Sequence, residues 1–590
     1  MQRIRRRDYP GYVVAWCKPT TSTGTPALAA RPARGFYFNT YMTKKSFVPK
    51  KFRFTKYQII GSPDAESDNN FDKVFIEHGE LEVLRDTENP KCVIIGRTGS
   101  GKSALIRRLE ESTKNLTRIQ PESMSVKYLT NSNVLGYFRS MDVNLNFFYK
   151  VLWKHVFIVE LLKLHFSEDI NKKENIIESL YNKARNKFGK VNPAKERGIQ
   201  YLDNWSNEFW QKTEHRIKEL EKQAEDKFLV STGLDKAVFN LKGESTKIFS
   251  TKTTEEIKYK AEKIISEIQA EELYEVINIM KDLLSTSQKK YYIVIDDLDK
   301  EWASPQIVYD LITSMIEVIK EFQIFKNAKI IIALRDNLHQ MLFSAKEHRG
   351  GQREKFNILY LDLTWSKQSL RELIDKRLKI ISGDVLSSSN AFEPIGKTKE
   401  SGFDYIIDRT FLRPRDLITY LNKVIPLIDQ KSNIPSSAIK KAEARYSSDR
   451  LNALEDEWSE NYGDIKKSCD FLIGMYNGFR IKNIDEERFY SLYTDESYEK
   501  SFKGELYRIT HLWRLNKMRY STFVSELSYI LYTVGIIGIK KSSKHSIYFF
   551  YNSDEDISIS DFNSEARLYV HKAFYSVLKI NVKALEDTYV

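Results

Sequence analysis

The stretch Lys91-Cys-Val-Ile-Ile-Gly-Arg-Thr-Gly-Ser-Gly-Lys-Ser-Ala-Leu-Ile-Arg-Arg-Leu-Glu110 decides the fold. It opens with a short apolar run that reads as a buried strand. Gly96-Arg-Thr-Gly-Ser-Gly-Lys-Ser103 follows, a G-x-x-x-x-G-K-S pattern, and from Ala104 the apolar residues fall at helical spacing. Strand, glycine-rich loop and helix, in that order, are the context of a phosphate-binding P-loop. Gly96, Gly99 and Gly101 carry no Cβ, so consecutive backbone N–H groups can converge on a phosphate. The helix starting at Lys102 aims its positive end at the same anion. Gly96, Arg97, Thr98, Gly99, Ser100, Gly101, Lys102, Ser103 and Ala104 are therefore the expected nucleotide contacts. Lys102 is expected to neutralise β/γ oxygens and the Ser103 hydroxyl to ligate Mg²⁺.

A second motif supplies the acids. Tyr291-Tyr-Ile-Val-Ile-Asp-Asp-Leu-Asp-Lys-Glu-Trp302 is an apolar strand with carboxylates where it ends. After a P-loop, Asp296 reads as the acid that holds Mg²⁺ through water. Asp297 is the first choice to orient or deprotonate the attacking water, with Asp299 and the longer Glu301 behind it. A solvated turn after a core strand is the competing reading. A third strand, Lys329-Ile-Ile-Ile-Ala-Leu334, ends at Arg335-Asp336. In a parallel sheet the ligand lies at the carboxyl ends of the strands, so Arg335 is a candidate γ-phosphate sensor. Pairing with Asp336 or Asp299 is the alternative.

Thr410-Phe-Leu-Arg-Pro-Arg-Asp-Leu-Ile-Thr-Tyr-Leu-Asn422 predicts a helix with Pro414 at its first position. Arg413 and Arg415 stand in its first turn, where cations oppose the helix dipole. That placement suggests an anion in front of them, either nucleotide phosphate under a lid or a structural carboxylate. Arg349-Gly-Gly-Gln-Arg353 resembles part of a transporter signature but follows the acidic strand by more than fifty residues, so it reads as a polar loop. Either arginine could act as a finger on a neighbouring subunit.

Composition bounds the rest. With 590 residues, 41% apolar and 29% charged, the chain has enough core-forming residues to exclude wholesale disorder. Cys17, Cys92 and Cys469 are too few and too dispersed for a disulfide framework or a zinc cluster, which favours a reducing, cytoplasmic setting. The most apolar helical candidate, Val156 to Phe166, is broken by Glu160 and Lys163, so no transmembrane helix is expected. The net charge is +13, and residues 1–41 carry six of those charges among four prolines. An Arg-rich start can be a transit peptide. Pro10, Pro19, Pro26 and Pro32 interrupt the helix such a peptide needs. Met42 is the expected native start and residues 1–41 an upstream leader outside the fold.

Ser103 and Asp296 lie 193 residues apart, far more than the roughly 30 of a βαβ unit. A large α-helical insertion is expected over residues 119–290. Its apolar start, Val134 to Phe166, reads as a helical pair on the core. Apolar stripes at Ile217–Phe228 and Ile257–Ile268 read as an antiparallel arm or a compact bundle. Residues 42–118 and 291–445 make up the two parts of the core, the second including the lid.

Residues 446–590 are expected to hold a helical linker, with Arg450 to Phe479 helical, and a winged helix. In the latter, Ser521 or Thr522 caps a helix with Phe523, Leu527, Ile530 and Leu531 inward. Gly535-Ile-Ile-Gly538 ends that helix, and Ile539 to Lys544 followed by Ile547 to Tyr551 resembles a wing. Arg514, Lys517, Arg519, Lys540, Lys541 and Lys544, with Arg508, suit contact with DNA phosphates. The helix that would read bases shows Ser525, Glu526, Ser528 and Tyr529 outward and no basic residue. Base readout usually needs Arg, Lys, Asn or Gln. A protein-docking or structural role is the competing reading.

Together these motifs resemble a family of bacterial P-loop ATPases related to STAND-type signal-transduction and origin-recognition-type ATPases. The resemblance spans about Phe52 to Ile580. It rests on Ile60-Gly-Ser-Pro-Asp-Ala-Glu66, GRTGSGKSAL, Leu152-Trp-Lys-His155, IDDLDKEW, ALRD, Leu363-Thr-Trp365, FLRPRDLITYLN and the GIIG segment. It implies that Ile60–Glu66 approaches adenine and that the gene lies near defence or mobile elements. Asp297 is shorter than the catalytic Glu of some relatives, which bears on the rate of hydrolysis. The expected architecture is α/β: a P-loop NTPase parallel sheet with a helical insertion between Walker A and Walker B, a helical lid and a C-terminal winged helix. The expected activity is Mg²⁺-dependent ATP binding and hydrolysis driving a conformational switch. ATP-controlled DNA binding, or a nucleotide-binding scaffold that gates a protein effector or assembles with copies of itself, are the alternatives.

Overall fold

In the computed structural model, each apolar run that the sequence marks as a strand lies in one sheet. Residues 52–77, 79–121, 145–166, 196–201, 270–285, 287–298, 305–344, 353–396, 399–489, 496–542, 544–552 and 557–582 are described. The leader, both stripes of the helical arm, Asp299, Glu301 and the polar loop at 349–352 lie outside them.

In chain order the core begins with helices α1 (Phe71–Val74) and α2 (Gly79–Arg85) and strand β1 (Val93–Gly96). Helix α3 (Lys102–Ser112) and strand β2 (Leu116–Ile119) follow. Next come α4 (Asn146–Phe166), α5 (Ala270–Ser285), β3 (Tyr291–Ile295), α6 (Pro305–Phe322), β4 (Ala328–Arg335), α7 (Asp336–Ser344) and β5 (Tyr360–Asp362). The five strands are all parallel, in the order β2-β3-β4-β1-β5.

A parallel sheet covered on both faces needs apolar residues at successive positions, and successive side chains point to opposite faces. Tyr291, Ile293 and Ile295 of β3 join one core cluster, with α4, α5 and α6. Tyr292 and Val294 join the other, with Leu81 and Leu84 of α2 and Leu105, Ile106 and Leu109 of α3. Helix α4 lies against α6, where Trp153 donates from its indole to the Leu311 carbonyl at 2.9 Å. The rest of the apolar run before it, residues 134–144, is outside the described residues.

A third cluster is built from α8 (Lys367–Ser382), α9 (Pro414–Val424), α10 (Ser436–Tyr462) and the elements after them. Tyr420 of α9 stacks on Tyr446 of α10 at 4.5 Å between ring centroids. Helix α10 runs unbroken for 27 residues, so the boundary expected at 445/446 cuts a continuous element. It ends at Gly463, φ +75°. Phe479, expected in a helix, instead stands in strand β6 (Gly478–Arg480).

Helices α11 (Gly504–Arg514) and α12 (Tyr520–Val534) lead into β7 (Ile537–Lys540) and, later, β8 (Arg567–Val570). These strands form an antiparallel sheet in the order β6-β8-β7. Phe523, Leu527, Ile530 and Leu531 face the core as expected. Three details differ. The N-cap of α12 is Arg519, with no side-chain cap. Ser528 is fully buried rather than outward. The 547–551 segment makes only a single bridge, Tyr548 to Ile539, before a 3₁₀ turn, and β6 takes the strand position next to β8.

Candidate functional site

The carboxyl ends of β1, β3 and β4 converge. Gly96 ends β1 in register with Arg335 at the end of β4, and Asp296 follows β3 directly. The loop from Gly96 turns tightly into α3. Gly99 has φ +79° and Gly101 φ +101°, both left-handed. A Cβ on Gly99 would stand 2.7 Å from the Arg415 Cβ, so side chains are excluded there by conformation and by space. Lys102 Nζ lies over the loop, donating to the carbonyls of Gly96 at 2.7 Å and Arg97 at 3.2 Å. Trp365 braces the loop from outside, its indole donating to the Ser100 carbonyl at 2.7 Å.

Opposite the loop stand the two acids. The Ser103 hydroxyl donates to Asp296 Oδ2 at 3.2 Å. Burial raises the Asp296 carboxyl, an effect opposed by the Asp297 backbone N–H at 2.9 Å and by Arg118. Asp297 has φ +62°, a left-handed backbone that non-glycine residues adopt rarely. Arg118 on β2 was not singled out from the sequence. Its Nη2 lies 3.1 Å from Asp296 Oδ2 and 3.9 Å from Asp297 Oδ2, and its Nη1 lies 3.9 Å from Glu110. A hydroxyl and a carboxylate oxygen facing each other are hard donors that fit Mg²⁺, which keeps most of its own waters. Among the described residues no group of three or more His, Cys, Asp or Glu could hold a metal by itself.

The cavity beside the loop has a volume of about 150 Å³. Gly99, Lys102, Ser103 and Arg415 line its polar side, and Phe71, Phe75, Leu105, Leu373 and Ile418 its apolar side. Ser62, Pro63, Ala65 and Glu66 of the segment expected near adenine also line it, as does Ala104. Asp68 and Arg377 form a buried ion pair at the wall, 2.7 Å apart. No short motif announces Phe71 or Arg377; only the tertiary fold brings them to the cavity, beside Trp365 of the Leu363-Thr-Trp365 segment.

The two lid arginines divide. Arg415 stays at the cavity, part-exposed and 2.7 Å from Asp64. Arg413 does not face the cavity. It is buried in a bidentate pair with Asp416, Nε to Oδ2 at 3.0 Å and Nη2 to Oδ1 at 3.1 Å. Its Nη1 donates to the Thr98 carbonyl at 2.6 Å. The anion in front of Arg413 is thus a carboxylate. Burial would push Asp416 up, but Arg413 and Arg450 hold it at about 2.

Arg97 also departs from expectation. Its side chain leaves the loop on the far side from the cavity, donating from Nη2 to the Val534 carbonyl at 3.0 Å. It lies over the rings of Phe411 and Tyr551 at 4.8 and 5.7 Å. Burial lowers its guanidinium to about 10. Thr98 is held through its carbonyl by Arg413 and is not among the residues lining the cavity. Burial raises the Asp336 carboxyl, an effect that the Arg97 charge opposes. Arg335 itself is half-buried at the strand end.

The chain is similar to several known proteins. Residues 368–455 match the model of the FunZ-associated C-terminal helical domain. A curated relative, a transposon gamma-delta 80.3 kDa protein of Escherichia coli K12, is 24% identical over 556 residues, covering 90% of this chain and 68% of the relative. Two solved structures are similar at low scores. The Walker-type ATPase PABY2304 of Pyrococcus abyssi gives a TM-score of 0.34 at 10% identity, over 86% of this chain and 96% of that one. The Aeropyrum pernix ORC1 protein in complex with DNA gives 0.30 at 12%, over 88% and 96%. Residues 82–362 match the model of the KAP family P-loop domain, and the chain contains an α/β P-loop NTPase domain.

Proposed function

We propose that the protein is a Mg²⁺-dependent ATPase that works as a conformational switch. The observation that carries this reading is one cavity lined together by Lys102, Ser103 and the lid residue Arg415. The polar end suits a polyphosphate and the apolar end, with Phe71 and Phe75, suits a base. Ser103 and Asp296 would hold Mg²⁺, which supplies charge neutralisation at the phosphates. Lys102 would exchange the Gly96 and Arg97 carbonyls for β/γ oxygens. Asp297 would orient the attacking water, and Arg335 would sense the γ-phosphate. Closure of α9 over the loop is the movement, passed to the C-terminal helices through Arg413, Arg97 and Thr98. Turnover of Mg²⁺-ATP by the full chain tests this; wild type and Asp297→Asn hydrolysing at equal rates would exclude Asp297 from that role. The similarity to a transposon protein of Escherichia coli supports a setting in mobile-element biology.

A second reading is favoured by a surface. Lys517, Arg519, Lys541 and Lys544 are exposed, with Arg514 and Lys540 half-buried, on a helix pair and antiparallel sheet that support a winged-helix reading. We infer that this face contacts DNA phosphates without base readout. Arg508 is taken up by Glu505 and Glu526, and Lys541 lies 3.5 Å from Asp561, which leaves a modest patch. Affinity for duplex DNA that does not fall as salt rises would remove it.

A further inference from the structure

Arg118 sits on β2, the edge strand next to β3, in register with Val294. From there its guanidinium reaches past the end of β3 to the acids that follow it. The oxygen it takes, Asp296 Oδ2 at 3.1 Å, is the same one that accepts the Ser103 hydroxyl at 3.2 Å. Asp297 and Glu110 each lie 3.9 Å from the same side chain, so one guanidinium serves three carboxylates. The Arg118 side chain is 29% exposed and Asp296 only 7%, so the arginine is the member of the pair free to move.

We propose that Arg118 is the counter-ion of Asp296 in the metal-free protein and that Mg²⁺ must displace it, so that Arg118 sets the Mg²⁺ requirement of the nucleotide site. This rests on the reading of Ser103 and Asp296 as the Mg²⁺ holders. The argument is electrostatic. A cation entering between Ser103 and Asp296 needs the lone pairs that Arg118 occupies, and it meets a fixed positive charge beside them. Removing that charge relieves both effects and takes away the cation that three carboxylates share. Mg²⁺ then binds more readily, while metal-free polyphosphate is repelled more strongly. Arg118 touches neither the loop nor, in the described contacts, the cavity; it acts through Asp296 and is a positioning residue.

The test uses the full chain and a fluorescent ATP analogue, titrated with and without Mg²⁺. In Arg118→Ala, the Mg²⁺ concentration giving half-maximal nucleotide affinity falls by roughly threefold or more, the scale of a part-exposed ion pair. Affinity in chelator, without Mg²⁺, falls in the same variant. Arg118→Lys, which keeps the charge and guards against a folding defect in the alanine variant, restores at least half of the shift. A Mg²⁺ midpoint that is unchanged or raised in Arg118→Ala, with wild type binding normally, overturns the proposal. So does a lysine variant indistinguishable from alanine. Wild type that binds no nucleotide at any Mg²⁺ concentration overturns both this inference and the ATPase reading.

Discussion

Arg97, the second residue of the phosphate-binding loop, donates a hydrogen bond to the carbonyl of Val534, 437 positions later in the chain, at 3.0 Å. Val534 is the last residue of α12, and Gly535 closes that helix at φ +93°. A guanidinium at a helix C-terminus meets the negative end of the dipole. The loop at the cavity and the C-terminal helix are therefore joined by one side chain, with Arg413 joining the same loop to α9 and, through Glu457 at 3.7 Å, to α10.

Arg97→Ala is expected to destabilise the protein strongly. It removes a buried cation whose field acts on Glu457 and Asp336 and leaves the Val534 carbonyl without that donor. A hydrogen bond from a charged donor contributes about 1.5–3 kcal/mol, to which the Phe411 and Tyr551 ring contacts add. Urea unfolding of wild type and variant measures it. A loss below about 1 kcal/mol, the scale of a surface pair, would refute the network.

Stability should fall with acid in two stages. Burial holds His155 and His571 at about 3, against an ordinary 6.5. His155 shares a hydrogen bond with Tyr201 at 2.8 Å; His571 accepts from Ala573 N–H at Nδ1, so its Nε2–H faces the Tyr551 hydroxyl at 2.7 Å. Between pH 6.5 and 3 the unfolded chain binds more protons at both sites, so stability drops as pH drops, by up to ~1.4 kcal/mol per pH unit for each imidazole. Asp416 is depressed to about 2, so its contribution is present above the usual carboxylate range and goes only as pH falls from about 4 to 2. Denaturant midpoints that stay flat from pH 7 to 5 would contradict the first stage.

Arg415→Ala should weaken nucleotide binding several-fold with no change in thermal midpoint. The pair with Asp64 is part-exposed and joins α9 to the segment at the cavity, and such pairs add little to stability. Calorimetric titration beside a melting curve separates the two effects. A lowered midpoint with unchanged affinity would make the residue structural.

Asp297→Asn should retain nucleotide affinity while losing turnover, whereas Asp296→Asn should lose Mg²⁺-dependent affinity. The distinction follows from Asp296 accepting the hydrogen bond of Ser103, the other residue that would hold Mg²⁺, while Asp297 is assigned the attacking water. Equal effects of both substitutions on affinity would merge the two roles.

What the sequence made legible was local. The strand, loop and helix around Gly96–Ser103 are consecutive, and the all-apolar strands read directly as a buried parallel sheet. Pro414 at the start of α9 was equally local. What it concealed depends on partners far along the chain. Arg97 and Arg413 stand at positions where a motif suggests phosphate, yet their partners are Val534 and Asp416, set by how α9, α10 and α12 pack. Arg118 carries no motif, and only the β2–β3 register brings it to Asp296. Ser528 lies among apolar neighbours on α12 and is buried because two of that helix's faces are covered, which polarity alone does not reveal.

The most direct test of the central claim is equilibrium binding of Mg²⁺-ATP to the full chain, wild type against Lys102→Ala. The account predicts saturable binding by wild type and a loss of at least roughly tenfold in the variant, the scale of a charge-assisted contact. Equal binding by the two proteins, or none by wild type, would contradict it.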